Sequence, residues 1–361
     1  MTCNVGHTPA PVGSALAAPL LYTAQKGADT SWGAPAKREQ VQPMQRFPLL
    51  MLLLAPALAV RADVSAQVSK TANATSSVSV GYVMVPFVLT DLKGKPVPDL
   101  RESDVTLLVD GQPVATDLFA RSEDAPVSFT ILLDSSGSMG LVGKMEGARA
   151  ALRDLVAQRR AGDDFSLYAF SSGAVREVVP FTSDAVRILG AADTIRPHGR
   201  TAFYDALARM PDRSLLGKNG SRAIILLTDG IDNASEITKD DLTVLLEGVD
   251  VPVYPIALRS PGAPLAPPPG VTPEAMLNLD VLGHVARLSG GLLSLVDDPA
   301  QLPAAITRIE KDLRTQYLLG FAPTGNGPVR YRRITLKLSG PARPVRVRAG
   351  YRGTLPPLKG G

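Results

Sequence analysis

Between residues 126 and 315 the chain alternates short apolar runs with longer segments whose apolar residues recur at helical spacing, and this alternation restricts the fold more than any other feature. The runs VSFTILLD (127–134), DFSLYAF (164–170), RAIILLTD (222–229), VPVYPIAL (251–258) and GLLSLV (291–296) have strand length, and AVREVVPF (174–181) is a further, more polar strand. Unbroken apolar strands must be covered on both faces, which points to a parallel sheet. Between them, residues 144–160 place Met145, Ala148, Leu152, Leu155 and Val156 on one helical face. Residues 201–210 form a short helix, 239–249 carry Leu242, Leu245, Leu246 and Val249, and 280–289 carry Val281, Leu282, Val285 and Leu288. Residues 299–314 make the final helix. The expected class is α/β, a doubly wound and mostly parallel sheet.

The flanks read differently. Val83, Val85, Phe87 and Leu89 alternate with their neighbours, Gly94 and Pro96 mark a turn, and VTLLV (105–109) runs into Asp110-Gly111. Residues 81–123 therefore form a small β module. After Gln316 the helical spacing stops, and residues 316–354 alternate again. Ile334, Leu336 and Leu338 match Val345, Val347 and Ala349 across a turn at 340–344, which predicts a β-hairpin with its Arg and Lys residues on a solvated face. An isolated hairpin is marginal in water, so it is expected to pack with the N-terminal strands as one all-β module. The Pro-rich stretch from Ser260 reads as a surface loop.

Upstream of these modules lies a targeting signal. Arg46 precedes the apolar run FPLLMLLLAPALAV (47–60), and small residues near Val60, Ala62, Val64 and Ala66 suit a cleavage site. Residues 44–66 are read as a signal peptide, 67–80 as a linker, and 1–43, which show no periodicity, as an extension that is disordered or not native. The apolar run is short for a membrane span and contains Pro56, so a secreted or periplasmic location is expected, without a stable span. The single Cys3 rules out an internal disulfide framework. A net charge of +4 with no run of five or more basic residues gives no reason to expect nucleic acid.

Chemistry concentrates where two strands end. VSFTILLD ends in Asp134 and continues as Ser135-Ser136-Gly137-Ser138, while RAIILLTD ends in Asp229-Gly230. Ligands of open α/β sheets bind at that carboxyl edge. Gly137 is expected to let the loop turn so that Ser136 and Ser138 point the same way. Thr201 opens a helix after the loop Pro197-His198-Gly199-Arg200. If the strands of Asp134 and Asp229 are neighbours, then Asp134, Ser136, Ser138, Thr201 and Asp229 can surround one hard cation, Mg²⁺ first, with Mn²⁺ or Ca²⁺ also suited.

This D-x-S-x-S, Thr, Asp pattern resembles the metal-ion-dependent adhesion site of von Willebrand factor A-type domains, over about residues 126–315. The resemblance implies direct hydroxyl ligands at Ser136 and Ser138, a Thr201 hydroxyl that joins in the open state, and carboxylates at Asp134 and Asp229 that often act through water. It implies an acidic protein partner whose Asp or Glu completes the metal shell. The whole chain is similar to a secreted von Willebrand A-related family common in Acidobacteria. The departure is Arg200, which stands where the family carries a glycine pair.

Neither a nucleophile elbow G-x-S-x-G nor an H-E-x-x-H, C-x-x-C or Walker-type loop occurs, so a binding module rather than an enzyme is expected. The competing readings are a structural envelope or secretion-associated protein with a metal-rigidified loop, and a hydrolase. Asp232 and Asn233 are expected to cap the loop before the next helix, and His198 to be an exposed loop residue.

Overall fold

The structure, a computed structural model, describes residues 82–358 apart from 124, 142, 260–277, 324, 326, 342 and 357. The expected extension, signal peptide and linker, and the Pro-rich stretch from Ser260, lie outside the described residues.

In chain order the elements begin with β1 (Val83–Leu89), β2 (Val105–Val109), β3 (Gln112–Pro113) and β4 (Leu118–Arg121). The α/β part follows as β5 (Val127–Asp134), α1 (Lys144–Ala157), β6 (Asp164–Ser171), β7 (Ala174–Thr182) and α2 (Ala185–Thr194). It continues with α3 (Phe203–Ala208), α4 (Met210–Ser214), β8 (Ser221–Thr228) and α5 (Lys239–Leu246). It closes with β9 (Val253–Leu258), α6 (Leu279–Ser289), β10 (Ser294–Val296) and α7 (Leu302–Arg314). The last strands are β11 (Tyr317–Phe321), β12 (Arg330–Leu338), β13 (Val345–Val347) and β14 (Gly350–Gly353).

The central sheet runs β10-β9-β8-β5-β6-β7, parallel throughout except for the β6–β7 hairpin at its edge. Every residue of β5, β6 and β9 is buried, as strands covered on both faces require. Phe129, Ile131 and Leu133 join the core formed with α1, α2 and α7, while Leu132 joins the opposite core with α3, α5 and α6. The expected doubly wound α/β class is what the structure shows.

Several boundaries differ from expectation. The first helix stops at Ala157 rather than 160, ahead of Gly162, whose φ is positive. The segment 201–210 splits: α3 starts only at Phe203 and α4 begins at Met210, with Pro211 in its first turn. Leu245, expected on the buried face of α5, is 51% exposed. The helix α2 is not announced by periodicity, because only Ile188 and Ala192 are buried in it and Val186 faces water; Asp184 starts it by accepting from the Val186 and Arg187 N–H groups.

The flanking strands form two antiparallel sheets, β13-β1-β11-β4 and β14-β12-β2-β3, around a shared core that includes Val85, Phe87, Leu107, Val109, Phe321, Ile334 and Tyr351. The all-β module thus draws on both ends of the described chain. The C-terminal hairpin is only half as expected. Tyr331 pairs with Arg352 and the Ile334 N–H donates to the Ala349 carbonyl, which keeps the expected register. Val345–Val347, however, leaves β12 and pairs with Phe87–Leu89 in the other sheet. One run of sequence therefore serves both sheets, turning the corner at Arg348, as strands do at the edges of sandwiches.

The solvated basic face also needs correction. Arg330 and Arg333 are exposed, but Arg332, Arg346 and Arg348 reach inward: Arg332 to Asp110 at 3.0 Å, Arg346 to Asp312 and the Gly290 and Gly291 carbonyls, and Arg348 to Asp250. Arg346 and Arg348 alternate with Val345 and Val347 and meet loops and helix α7 of the α/β part, whereas Arg332 shares the face of Ile334 and is held within the β module by Asp110 and the Pro328 and Gly353 carbonyls. Arg314, the last residue of α7, is buried together with both its carboxylate partners. It contacts Asp163 and Glu310, and donates to the Ala125 carbonyl at 2.8 Å. Arg314→Met should therefore lower stability by about 3–5 kcal/mol, because two buried carboxylates lose their partner. A urea titration showing a loss below about 1 kcal/mol would count against this assignment.

Candidate metal centre

β5 and β8 lie side by side with Leu133 opposite Leu227, so their carboxyl ends reach the same edge. Asp134 consequently sits beside Thr228, whose hydroxyl donates to its Oδ2 at 2.7 Å, while the Ser136 N–H donates to its Oδ1 at 2.8 Å. Asp134 is fully buried and Asp229, the next residue after Thr228, nearly so. Burial, and secondly the charge of Asp229, push the Asp134 carboxyl up to about 7, against the pull of its hydrogen bonds from Ser136 and Thr228.

The hydroxyls of Ser136 and Ser138 lie 3.1 Å apart, so the two do point the same way. Gly137 allows this for a reason other than the one expected. Its φ is not in the left-handed region; instead its N–H donates to the Gly199 carbonyl at 2.9 Å, and a Cβ there would stand 3.2 Å from that oxygen. Close approach of a second loop, not a tight turn, demands the glycine. The His198 N–H bonds the Ser135 carbonyl at 2.8 Å, stitching the same two loops together again. The β6–β7 turn supports them from behind: Ser172 and Arg200 exchange two bonds, Ser172 N–H to the Arg200 carbonyl at 2.7 Å and Arg200 N–H to Ser172 Oγ at 2.9 Å. His198 is exposed, as expected, and its ring braces the loop by contacts with Ser171 Oγ and the Arg196 carbonyl, both at 3.0 Å. The Arg200 side chain is exposed.

Thr201 is buried but precedes α3 rather than opening it. Asn233 holds it on both sides: its Oδ1 accepts from the Thr201 N–H and its N–H donates to the Thr201 carbonyl, each at 2.9 Å. Asp232 accepts from the Phe203 and Tyr204 N–H groups and from Ser235 Oγ. Asp232 thus caps the helix that comes earlier in the chain, not the one that follows, and Asn233 docks the loop after β8 onto the loop of Thr201. Asp205 reinforces the docking by accepting from the Glu236 and Ile237 N–H groups. The five expected residues therefore lie on three loops joined to one another by backbone hydrogen bonds at one edge of the sheet.

Two contributors escaped sequence reasoning. Thr228 is one, hidden as the penultimate residue of an apolar run. Lys144 is the other: its Nζ lies 2.8 Å from Asp229 Oδ2, with side-chain exposures of 8% and 1%. A detectable signal existed, since Lys144 is the first residue of α1 and a cation there opposes the helix dipole. The donor set consists of carboxylates and hydroxyls, hard oxygens that suit Mg²⁺, Mn²⁺ or Ca²⁺. Among the described residues no three His, Cys, Asp or Glu side chains gather to hold a metal ion, at this edge or elsewhere, so a cation here would depend on the hydroxyls as well as on the two carboxylates. Beside Arg200 opens a cleft lined by Ser172, Asp205, Arg209 and Glu236.

Thr228→Val removes the hydroxyl but keeps the shape, leaving one oxygen of a buried carboxyl without its donor. The substitution should cost about 1–3 kcal/mol in metal-free buffer. Denaturant unfolding that matches the unsubstituted protein would contradict the role given to Thr228.

Residues 129–231 match the family model described as von Willebrand factor type A domain. An uncharacterised protein of Borreliella burgdorferi is 31% identical over 148 residues, 38% of this chain; the chain spans 42% of that relative's length. Among solved structures, an aerotolerance-related membrane protein of Bacteroides fragilis aligns with TM-score 0.42 and 23% identity over 52% of this chain and 98% of its own. A von Willebrand factor type A protein of Catenulispora acidiphila aligns with TM-score 0.45 and 15% identity over 70% and 74%. Proximal thread matrix protein 1 of the mussel byssus, solved with a zinc-occupied MIDAS motif, aligns with TM-score 0.41 and 16% identity over 57% and 49%. The match to the von Willebrand factor type A domain covers residues 129–231, from within β5 to just past β8 of the parallel sheet.

Proposed function

We propose that the protein is a divalent-cation-dependent protein-binding module, for adhesion or assembly, that works outside the cytoplasm. The observation that carries this reading is the meshing of three loops, which gathers Asp134, Ser136, Ser138, Thr201 and Asp229 at the carboxyl edge of the sheet. Ser136, Ser138 and Thr201 would supply neutral hydroxyls to the ion, and Asp134 and Asp229 would supply charge, directly or through water. A bound Mg²⁺ would provide a Lewis-acidic position able to accept an Asp or Glu carboxylate from a partner protein. The cleft beside Arg200 would receive the surroundings of that carboxylate.

The residues also favour binding over catalysis. Ser136 and Ser138 contact each other, and the histidine nearest them, His198, is engaged by Ser171 and a carbonyl; Ser171 itself is buried. The extracytoplasmic setting rests on the apolar run after Met44. No helix among the described residues is long and apolar enough to cross a membrane.

Asp134→Ala should abolish Mg²⁺ binding while the circular dichroism spectrum stays unchanged; calorimetry with unaltered affinity would refute the assignment. Thr201→Ala should weaken partner capture more than Mg²⁺ binding, and equal losses would remove its proposed role at the ligand side. A pull-down with the full chain in Mg²⁺ and in chelator tests the whole reading. Chelator-insensitive capture would favour a structural protein whose loops the ion merely stiffens.

A further inference from the structure

Lys144 is a buried cation set among the candidate metal ligands, and nothing in the reading above uses it. Its ammonium meets Asp229 Oδ2 at 2.8 Å, and both side chains are shut off from water. The position is unfavourable for helix α1, whose N-terminal dipole repels a positive charge, so helix stability does not explain it. With both carboxylates ionised, Asp134, Asp229 and Lys144 together carry one formal negative charge, which a bound divalent cation would turn into one formal positive charge. Without the lysine, the loaded site would be neutral.

We propose that Lys144 is a built-in counter-cation that shares Asp229 with the metal. It weakens the grip on the ion, and it leaves the loaded site with a surplus positive charge that an incoming carboxylate neutralises. Lys144 thereby shifts binding strength from the metal to the anionic ligand. It also keeps Asp229 paired when no ion is present, which matters because an unpaired buried carboxylate is strongly destabilising. This inference rests on the metal-binding reading and concerns how that site is tuned. It differs from simple orientation of Asp229, which would make Lys144 helpful to the ion instead of opposed to it.

The sign of the effect decides between these. In the full chain, Lys144→Gln keeps a donor for Asp229 but loses the charge, and Lys144→Met loses both. Both variants should bind Mg²⁺ tighter, on the order of tenfold or more by calorimetry, since a nearby like charge in a poorly screened site is gone. Acetate titrated into the Mg²⁺-loaded protein should bind several-fold more weakly to the variants. Without metal the variants should melt lower than the unsubstituted protein, and Mg²⁺ should raise their Tm by a larger increment. Equal or weaker Mg²⁺ affinity in both variants, or unchanged acetate affinity, would overturn the proposal while leaving the metal reading intact. Failure of both variants to fold even in saturating Mg²⁺ would overturn it too, since the ion should replace the ammonium beside Asp229. An unsubstituted protein that takes up no Mg²⁺ would sink the metal reading and this inference together.

Discussion

Two carboxylates at the ends of neighbouring parallel strands, both removed from water, repel one another, and much of the upper edge of this molecule is arranged to keep them there. The adjacency of β5 and β8 creates the conflict by bringing Asp134 level with Thr228, so that Asp229 follows at the same edge. Thr228 and the Ser136 N–H answer it for Asp134, and Lys144 for Asp229. A buried charge is retained only when hydrogen bonds or an opposite charge compensate its lost hydration.

The loops follow from that constraint. Gly137 lies against Gly199, His198 bonds Ser135, and Asn233 grips Thr201 from both sides, so the three segments cannot move independently. Most of these bonds run between backbone groups or from short Asn and Asp side chains, which lose little freedom on being fixed. The resulting frame holds the Ser136 and Ser138 hydroxyls 3.1 Å apart. The Arg200 side chain stays exposed beside a cleft that Ser172 and Asp205, two members of the frame, help to line.

The β module serves the domain from the opposite direction. Arg346 and Arg348 extend from the corner where one strand passes between two sheets, and they meet α7, the carbonyls after α6 and the loop before β9. Arginine suits such a junction because a planar guanidinium satisfies several oxygens at once. A basic, alternating segment thus ties two cores together instead of facing solvent.

Much of this was legible in advance, for identifiable reasons. Unbroken apolar strands can only be buried on both faces, so runs such as VSFTILLD and RAIILLTD by themselves determined a covered parallel sheet, and Asp134, Ser136, Ser138 and Asp229 stood out because polar residues interrupt those runs at the edge where ligands bind. Local pattern does not carry partnership between distant segments. That Lys144 faces Asp229, that Asn233 holds Thr201 outside α3, that Gly137 yields space to Gly199, and that Val345–Val347 deserts its own hairpin for β1 were all decided by tertiary structure. Each depends on which groups meet in the absence of water, and the free energy of a buried charge or hydrogen bond is set by that meeting, not by the residues on either side in the chain.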